Sequence, residues 1–126
     1  MRNISLINLP YSFGNLTSLG FLRLNNNNLV SLPKTMANIE SINMMILDEN
    51  PHLDSLQSLN GMRNLRYVHA MSCIIDRLPY NVPDLIYLLM FNNRLTNLHG
   101  IETLGYNTNE AKNLFFRLKS YKLHST

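Results

Sequence analysis

Residues 19–33, L-G-F-L-R-L-N-N-N-N-L-V-S-L-P, constrain the fold of this chain more than any other stretch. Their apolar spacing is too irregular for one long helix and is not the strict alternation of a half-buried strand. The apolar positions are Leu19, Leu22, Leu24, Leu29 and Leu32, with Asn27 between the third and the fourth. The segment therefore predicts a structural unit of another kind.

The same spacing returns three times further along the chain. Shifts of 23, 23 and 20 residues carry the first unit onto the next ones. The later units place apolar residues at Ile42, Met45 and Leu47, then Leu65, Val68 and Ala70, then Leu85, Leu88 and Met90. All twelve core positions are apolar in a chain that is 45% hydrophobic, so the sequence is a tandem repeat.

The repeated pattern L-x-x-L-x-L-x-x-N-x-L, followed in residues 19–33 by x-x-L-P, resembles the leucine-rich-repeat family. The resemblance implies an α/β fold, a right-handed β-α superhelix or solenoid. Each repeat would add one short strand to a parallel sheet on the concave face. Apolar residues recur every three positions at Leu53, Leu56, Leu59, Met62 and Leu65, which resembles repeats with a helical convex side. Pro79 and Pro83 forbid a regular helix in the shorter linker that follows.

The repeats are expected to span residues 1–104, and residues 105–126 are expected to form a C-terminal capping helix and tail. The helix is predicted because five apolar residues share one helical face: Ala111, Leu114, Phe115, Leu118 and Tyr121. The first repeat aligns as a truncated one, with Met1 in the position of Leu24. We expect either a longer repeat array or self-association through this uncapped N-terminal end.

An asparagine follows three of the four predicted strands, at Asn27, Asn50 and Asn93, and Cys73 occupies the fourth such position. An amide there can bond backbone groups of its own repeat and of its neighbour. We therefore expect an asparagine ladder, with Cys73 as a structural thiol in it rather than a nucleophile.

Charge separates the repeats from the tail. Residues 1–109 carry seven basic and seven acidic residues, so the net charge of +3 comes from the tail. A balanced repeat region offers no continuous basic groove, which argues against nucleic-acid binding. The tail opposes Glu110 with Lys112, Arg117, Lys119 and Lys122. A basic amphipathic helix can seek anionic lipid, so a membrane-surface protein is one alternative, although a capping helix with a solvated face is the simpler interpretation.

No motif for catalysis, cofactor binding or metal binding occurs in the sequence. The four histidines are isolated, and only His69, predicted near Asp48 of the preceding strand, has a notable neighbourhood. We expect no enzyme activity, no cofactor and no metal. One cysteine, no signal-like N-terminus and no apolar run of about 18 residues predict a cytoplasmic protein.

The predicted outer face of the sheet is the candidate partner site, because side chains alternate across a strand. It comprises Phe21, Arg23, Asn25, Met44, Ile46, Asp48, Tyr67, His69, Met71, Tyr87, Leu89 and Phe91. All except Asn25 are assigned to partner binding, and eight of the twelve are apolar or aromatic, which is typical of an interaction surface. The alternative occupant of the face is the C-terminal helix or a neighbouring domain.

These features favour a non-catalytic module that binds a protein or peptide, as in scaffold and signalling proteins. The alternative is the recognition part of a larger enzyme, such as a kinase, a phosphatase regulator or a ubiquitin ligase. The repeat pattern does not name the partner, because function belongs to the site and not to the scaffold.

Overall fold

The computed structural model describes residues 5–108, which form a four-stranded parallel sheet with short 3₁₀ helices between the strands. The strands are β1 (Phe21–Arg23), β2 (Met44–Ile46), β3 (Tyr67–His69) and β4 (Tyr87–Leu89). They lie side by side in chain order, and the register aligns Leu22, Met45, Val68 and Leu88 in one row. The predicted parallel sheet and the spacing of its strands are thereby confirmed.

Each strand has three residues, and only its central side chain enters the core. Leu22 is 4% exposed, and Met45, Val68 and Leu88 are fully buried. The residues on either side of them are exposed or half-buried. The strands therefore have one face against the core and one that is not enclosed by residues 5–108.

A 3₁₀ helix at Tyr11–Asn15 precedes β1, the connections between the strands contain 3₁₀ helices at Lys34–Asn38 and Gln57–Leu59, and Ile101–Thr103 follows β4. Pro10 and Pro33 stand in extended backbone just before the first two, where a missing N–H is tolerated. Within residues 53–65, only Gln57–Leu59 is helical, so the helical side expected there is reduced to a single turn. The three-residue leucine spacing matches the 3.0 residues per turn of a 3₁₀ helix.

One continuous core joins the strands to their crossovers. Two inward residues per repeat come from the strand region, and the others come from the crossovers. Among the fully buried side chains are Leu24, Leu29, Met36, Ile39, Ile42, Met45, Leu47, Leu53, Leu56, Leu59, Met62 and Leu65. Burying a side chain of this size contributes about 1.5–3 kcal/mol, so the stacked leucines are the main source of stability.

A left-handed residue turns the chain after each strand. Asn26, Glu49, Ser72 and Asn92 have φ values of 57–60° and stand directly before the four ladder positions. This conformation points the following side chain inward. Asparagine tolerates it better than most residues do, which explains two of the four choices.

After β4 the chain returns alongside the segment that leads into β4. Val82 and Leu104 form a parallel bridge, and the N–H of Gly105 donates to the carbonyl of Val82 at 2.9 Å. Residues 105–108 form a bend and turns. The rest of the predicted capping helix and tail, and the predicted position of Met1, lie outside the described residues. Within residues 5–108 no helix has the length and apolarity required to cross a bilayer.

Candidate functional site

The outer face of the sheet brings the predicted partner-binding residues together in three rows. Its first row is Phe21, Met44, Tyr67 and Tyr87, and its second row is Arg23, Ile46, His69 and Leu89. The third row, Asn25, Asp48, Met71 and Phe91, follows the strands. Backbone hydrogen bonds from Asn26, Glu49 and Ser72 to the third-row residue of the next repeat hold that row in register. These twelve residues are called the sheet face below.

The aromatic residues of the sheet face differ in exposure. Phe21 and Phe91 are each 48% exposed and Tyr67 is 38% exposed, whereas Tyr87 and Leu89 are half-buried. The residues described here leave these three rings accessible to solvent. The sheet face therefore offers large apolar groups along its whole length, and Phe21 and Phe91 mark its two ends.

Arg23 and Asn25 make the β1 end of the sheet face polar. The Arg23 guanidinium carbon lies 5.5 Å from the centre of the Phe21 ring, a cation–π contact that orients both side chains. Asn25 Oδ1 is buried and has no hydrogen-bond partner among residues 5–108. This end consequently carries one oriented cation and one unsatisfied acceptor.

Asp48 and His69, which the sequence predicts to lie near each other, make separate contacts in the structure. Asp48 Oδ1 accepts a hydrogen bond from the Met71 N–H at 2.7 Å, so the carboxylate braces the backbone after β3. The His69 ring instead lies beside Tyr87, with ring centroids 6.1 Å apart and planes tilted by 36°. Within residues 5–108 no hydrogen bond joins His69 to Asp48. The two side chains are therefore not arranged as an acid–base pair.

The predicted asparagine ladder lies behind the third row and fixes the turns there. Asn50 is fully buried, and its Oδ1 accepts the Leu29 N–H at 3.1 Å. Its Nδ2 donates to the carbonyls of Leu24 and Leu47 at 3.1 and 2.7 Å. Asn27 and Asn93 make the corresponding bonds to their own and the preceding turns. The ladder prediction is confirmed at these three positions.

The Cys73 thiol replaces the N–H donors of a ladder asparagine, but it has no amide oxygen to accept a backbone N–H. Its Sγ lies 3.5 Å from the Leu47 carbonyl oxygen and 3.6 Å from that of Met71. Burial is the main cause that raises the pKa of this thiol from 9.0 to about 11. A thiol that stays protonated at neutral pH is a poor nucleophile, which agrees with the structural role predicted for it.

An extra residue in the preceding turn compensates for the missing acceptor at Cys73. The first buried residue after a ladder residue comes two positions later at Leu29 and Ile75, but three positions later at Leu53. The N–H groups of Leu29 and Ile75 donate to ladder oxygens. The Leu53 N–H instead donates to the Asn50 carbonyl at 3.1 Å. The inserted residue thus satisfies the N–H that Cys73 cannot.

A second depression, which no sequence pattern indicates, crosses the connections between the strands. It contains Lys34, Arg77 and Arg94, which are far apart in the chain and share no motif. Their common feature is position, because each follows a ladder residue within the first part of a crossover. In the described part of the chain, no group of three His, Cys, Asp or Glu side chains is placed to hold a metal ion.

Comparison with known proteins adds no relative to these observations. No protein-family model matches the sequence. No curated protein sequence matches it either.

Proposed function

We propose that this chain is a leucine-rich-repeat solenoid that binds a protein or peptide partner on the sheet face and has no catalytic activity of its own. The repeated spacing, the parallel strands in chain order and the asparagine ladder support the proposed architecture. The free, buried Cys73 is compatible with a reducing compartment and supports the proposed cytoplasmic location.

The exposed aromatic side chains of the sheet face carry the proposed function. Phe21, Tyr67 and Phe91 are held on a rigid sheet with 38–48% of their surface exposed. Aromatic residues bury a large area at low entropic cost and dominate binding energy at interfaces. The polar groups around them, Arg23 and His69, would set the orientation of the partner.

The size of the sheet face limits the partner. Four strands about 4.8 Å apart and about five residues long give roughly 350 Å² of projected area. A standard protein interface takes about 800 Å² from each partner. The sheet face alone therefore fits an extended peptide or one helix better than a globular protein.

The test is a selection of peptides from a random display library on the immobilised full-length chain. Affinities of the selected peptides are then compared between the wild type and a Tyr67→Ala/Phe91→Ala variant. These two rings are chosen because Tyr87 is half-buried beside His69, so its truncation would also disturb packing. We expect a loss of about 2 kcal/mol or more, roughly thirtyfold, as is typical of aromatic anchors.

The matched control is a Leu16→Ala/Val30→Ala variant. These apolar residues are 46% and 45% exposed but lie outside the sheet face. The control should bind every selected peptide as the wild type does. Unchanged affinity of the Tyr67→Ala/Phe91→Ala variant, with its fold intact by circular dichroism, would reject the sheet face as the partner site.

A further inference from the structure

A continuous groove runs over the crossovers, and none of its lining residues belongs to a strand. It consists of two adjoining cavities of about 640 and 720 Å³ that share Gln57 and Asn60. Its charged residues come from three different crossovers: Lys34 follows β1, Asp76 and Arg77 follow β3, and Arg94 follows β4. These two cavities together are called the crossover groove.

The crossover groove concentrates positive charge. Residues 5–108 contain six lysines and arginines and seven aspartates and glutamates, so this part of the chain is slightly acidic. Three of those six cations line the groove, but only one of the seven acids does, Asp76. The groove is thus a basic site on a surface whose other charges are mostly acidic, and such a site attracts anions.

Most of that positive charge is not neutralised within the described residues. The Arg77 Nε lies 3.2 Å from Asp76 Oδ1, but both side chains are more than half exposed, so solvent screens this pair. A guanidinium has five N–H donors, and this contact uses one of them. Lys34 and Arg94 make no side-chain ion pair or hydrogen bond with any residue from 5 to 108.

The floor of the crossover groove is held in place by hydrogen bonds. Asn60 Oδ1 accepts the Tyr80 N–H at 2.6 Å, and Asn60 Nδ2 donates to Gln57 Oε1 at 2.8 Å. Gln57 Nε2 in turn donates to the Leu78 carbonyl at 2.9 Å. These bonds tie two successive crossovers together where the cavities meet. Of the three cations, Arg77 lies in one of these two bonded crossovers and therefore extends from a fixed base, which lowers the ordering cost of binding.

We propose that the crossover groove binds an extended acidic peptide, with Lys34, Arg77 and Arg94 as its carboxylate contacts. Lys34 and Arg94 are three crossovers apart, which is about 15 Å at about 4.8 Å per strand spacing, or four to five residues of extended chain. The groove is concave, so a peptide reaches its cations more easily than a flat bilayer does. The tail of this chain is itself basic and has the wrong charge to occupy the groove.

The experiment measures fluorescence anisotropy of a labelled octapeptide of alternating glutamate and serine with the full-length chain. The groove variant is Lys34→Gln/Arg77→Gln/Arg94→Gln, and the matched control is Arg63→Gln/Arg66→Gln, two exposed cations outside the groove. A second control neutralises the tail at Lys112, Arg117, Lys119 and Lys122. A glutamine–serine octapeptide serves as the uncharged probe.

We expect the groove variant to bind the acidic peptide at least about tenfold more weakly than the wild type, equivalent to about 1.4 kcal/mol. Both controls should keep at least half of the wild-type affinity, and the uncharged peptide should not bind. Affinity should also fall as salt rises. If the groove variant unfolds, the single variants Lys34→Gln and Arg94→Gln replace it, with an expected loss of about two- to fivefold each.

Three results with the peptide would overturn the proposal. They are unchanged binding by the groove variant, an equal loss in the Arg63→Gln/Arg66→Gln control, and complete loss on neutralising the tail alone. Binding of phosphatidylserine vesicles, with no peptide binding, would also overturn it and assign the cations to a membrane surface. The Tyr67→Ala/Phe91→Ala variant should bind the acidic peptide normally, which separates this test from that of the sheet face.

Discussion

Replacing Asn50 by alanine tests the asparagine ladder at its most buried position. The substitution removes one acceptor and two donor hydrogen bonds, at 3.1, 3.1 and 2.7 Å. The backbone groups left behind are those of Leu24, Leu29 and Leu47. Asn50 is fully buried, so water cannot replace the lost amide without opening the turn.

The three backbone groups are not affected equally. The Leu24 carbonyl also accepts from Asn27 Nδ2 at 3.0 Å, and the Leu47 carbonyl has the weaker Cys73 thiol at 3.5 Å. The Leu29 N–H has no such alternative partner within residues 5–108. Leaving one buried donor unsatisfied costs about 1–3 kcal/mol. With a smaller loss at Leu47, we expect Asn50→Ala to destabilise the protein by about 2–4 kcal/mol.

Urea unfolding followed by circular dichroism measures this change. The urea concentration at the midpoint should fall, while the slope of the free energy of unfolding against urea concentration stays similar. Asn28→Ala is the matched control, because Asn28 is exposed and its backbone N–H bond to Leu6 survives the change. The urea midpoint of Asn93→Ala should fall between those of Asn50→Ala and Asn28→Ala, since Asn93 is partly exposed and water can reach its hydrogen-bond partners. Equal midpoints for Asn50→Ala and Asn28→Ala would refute the reasoning.

Three further substitutions test the packing, the turns and the buried thiol. Gly14→Ala should destabilise by about 1–3 kcal/mol in thermal melts, because its Cβ would stand 2.5 Å from Thr35 Cβ; a wild-type melting temperature would contradict this contact. Glu49→Asn should stabilise by about 0.5–1 kcal/mol in urea unfolding, since asparagine suits a φ of 60°, and destabilisation would count against the strained turn. The wild type should lose stability relative to Cys73→Ala between about pH 9 and about pH 11. The unfolded thiol ionises near its ordinary pKa of 9.0 while the folded one stays protonated up to about 11, so stability present below pH 9 is lost as pH rises; parallel curves would rule this out.

The sequence was sufficient to predict the features that repeat. Leu22, Met45, Val68 and Leu88 occupy the aligned strand centres because each stands at the same place in its repeat. A period repeated along the chain fixes which residues stack, and stacking fixes the parallel register. The outward position of the twelve sheet-face residues was also predictable, because successive side chains of a strand point to opposite faces of the sheet.

The sequence did not predict the contacts that are not repeated from one repeat to the next. Asp48 Oδ1 accepts a hydrogen bond from the Met71 N–H rather than from His69, and this contact depends on the local backbone geometry after β3. The crossover groove depends on stacked turns that place Lys34, Arg77 and Arg94 on one surface. Their separations along the chain carry no periodic signal, so only the three-dimensional arrangement reveals their shared surface.

The two proposed surfaces share one rigid support, and this determines which variants can test them. Along the chain, each third-row residue is followed two positions later by a ladder residue, and residues that line the crossover groove come after the ladder residue. Substitutions at Asn50 or Asn93 would therefore disturb both surfaces at once and would not distinguish a binding role from a structural one. Substitutions at Phe91 and Arg94 lie on opposite sides of Asn93 in the chain and alter one surface each. If each of these changes weakens binding of its own ligand only, the protein presents two independent sites. Loss of both ligands in either variant would mean that the two surfaces are coupled through the ladder.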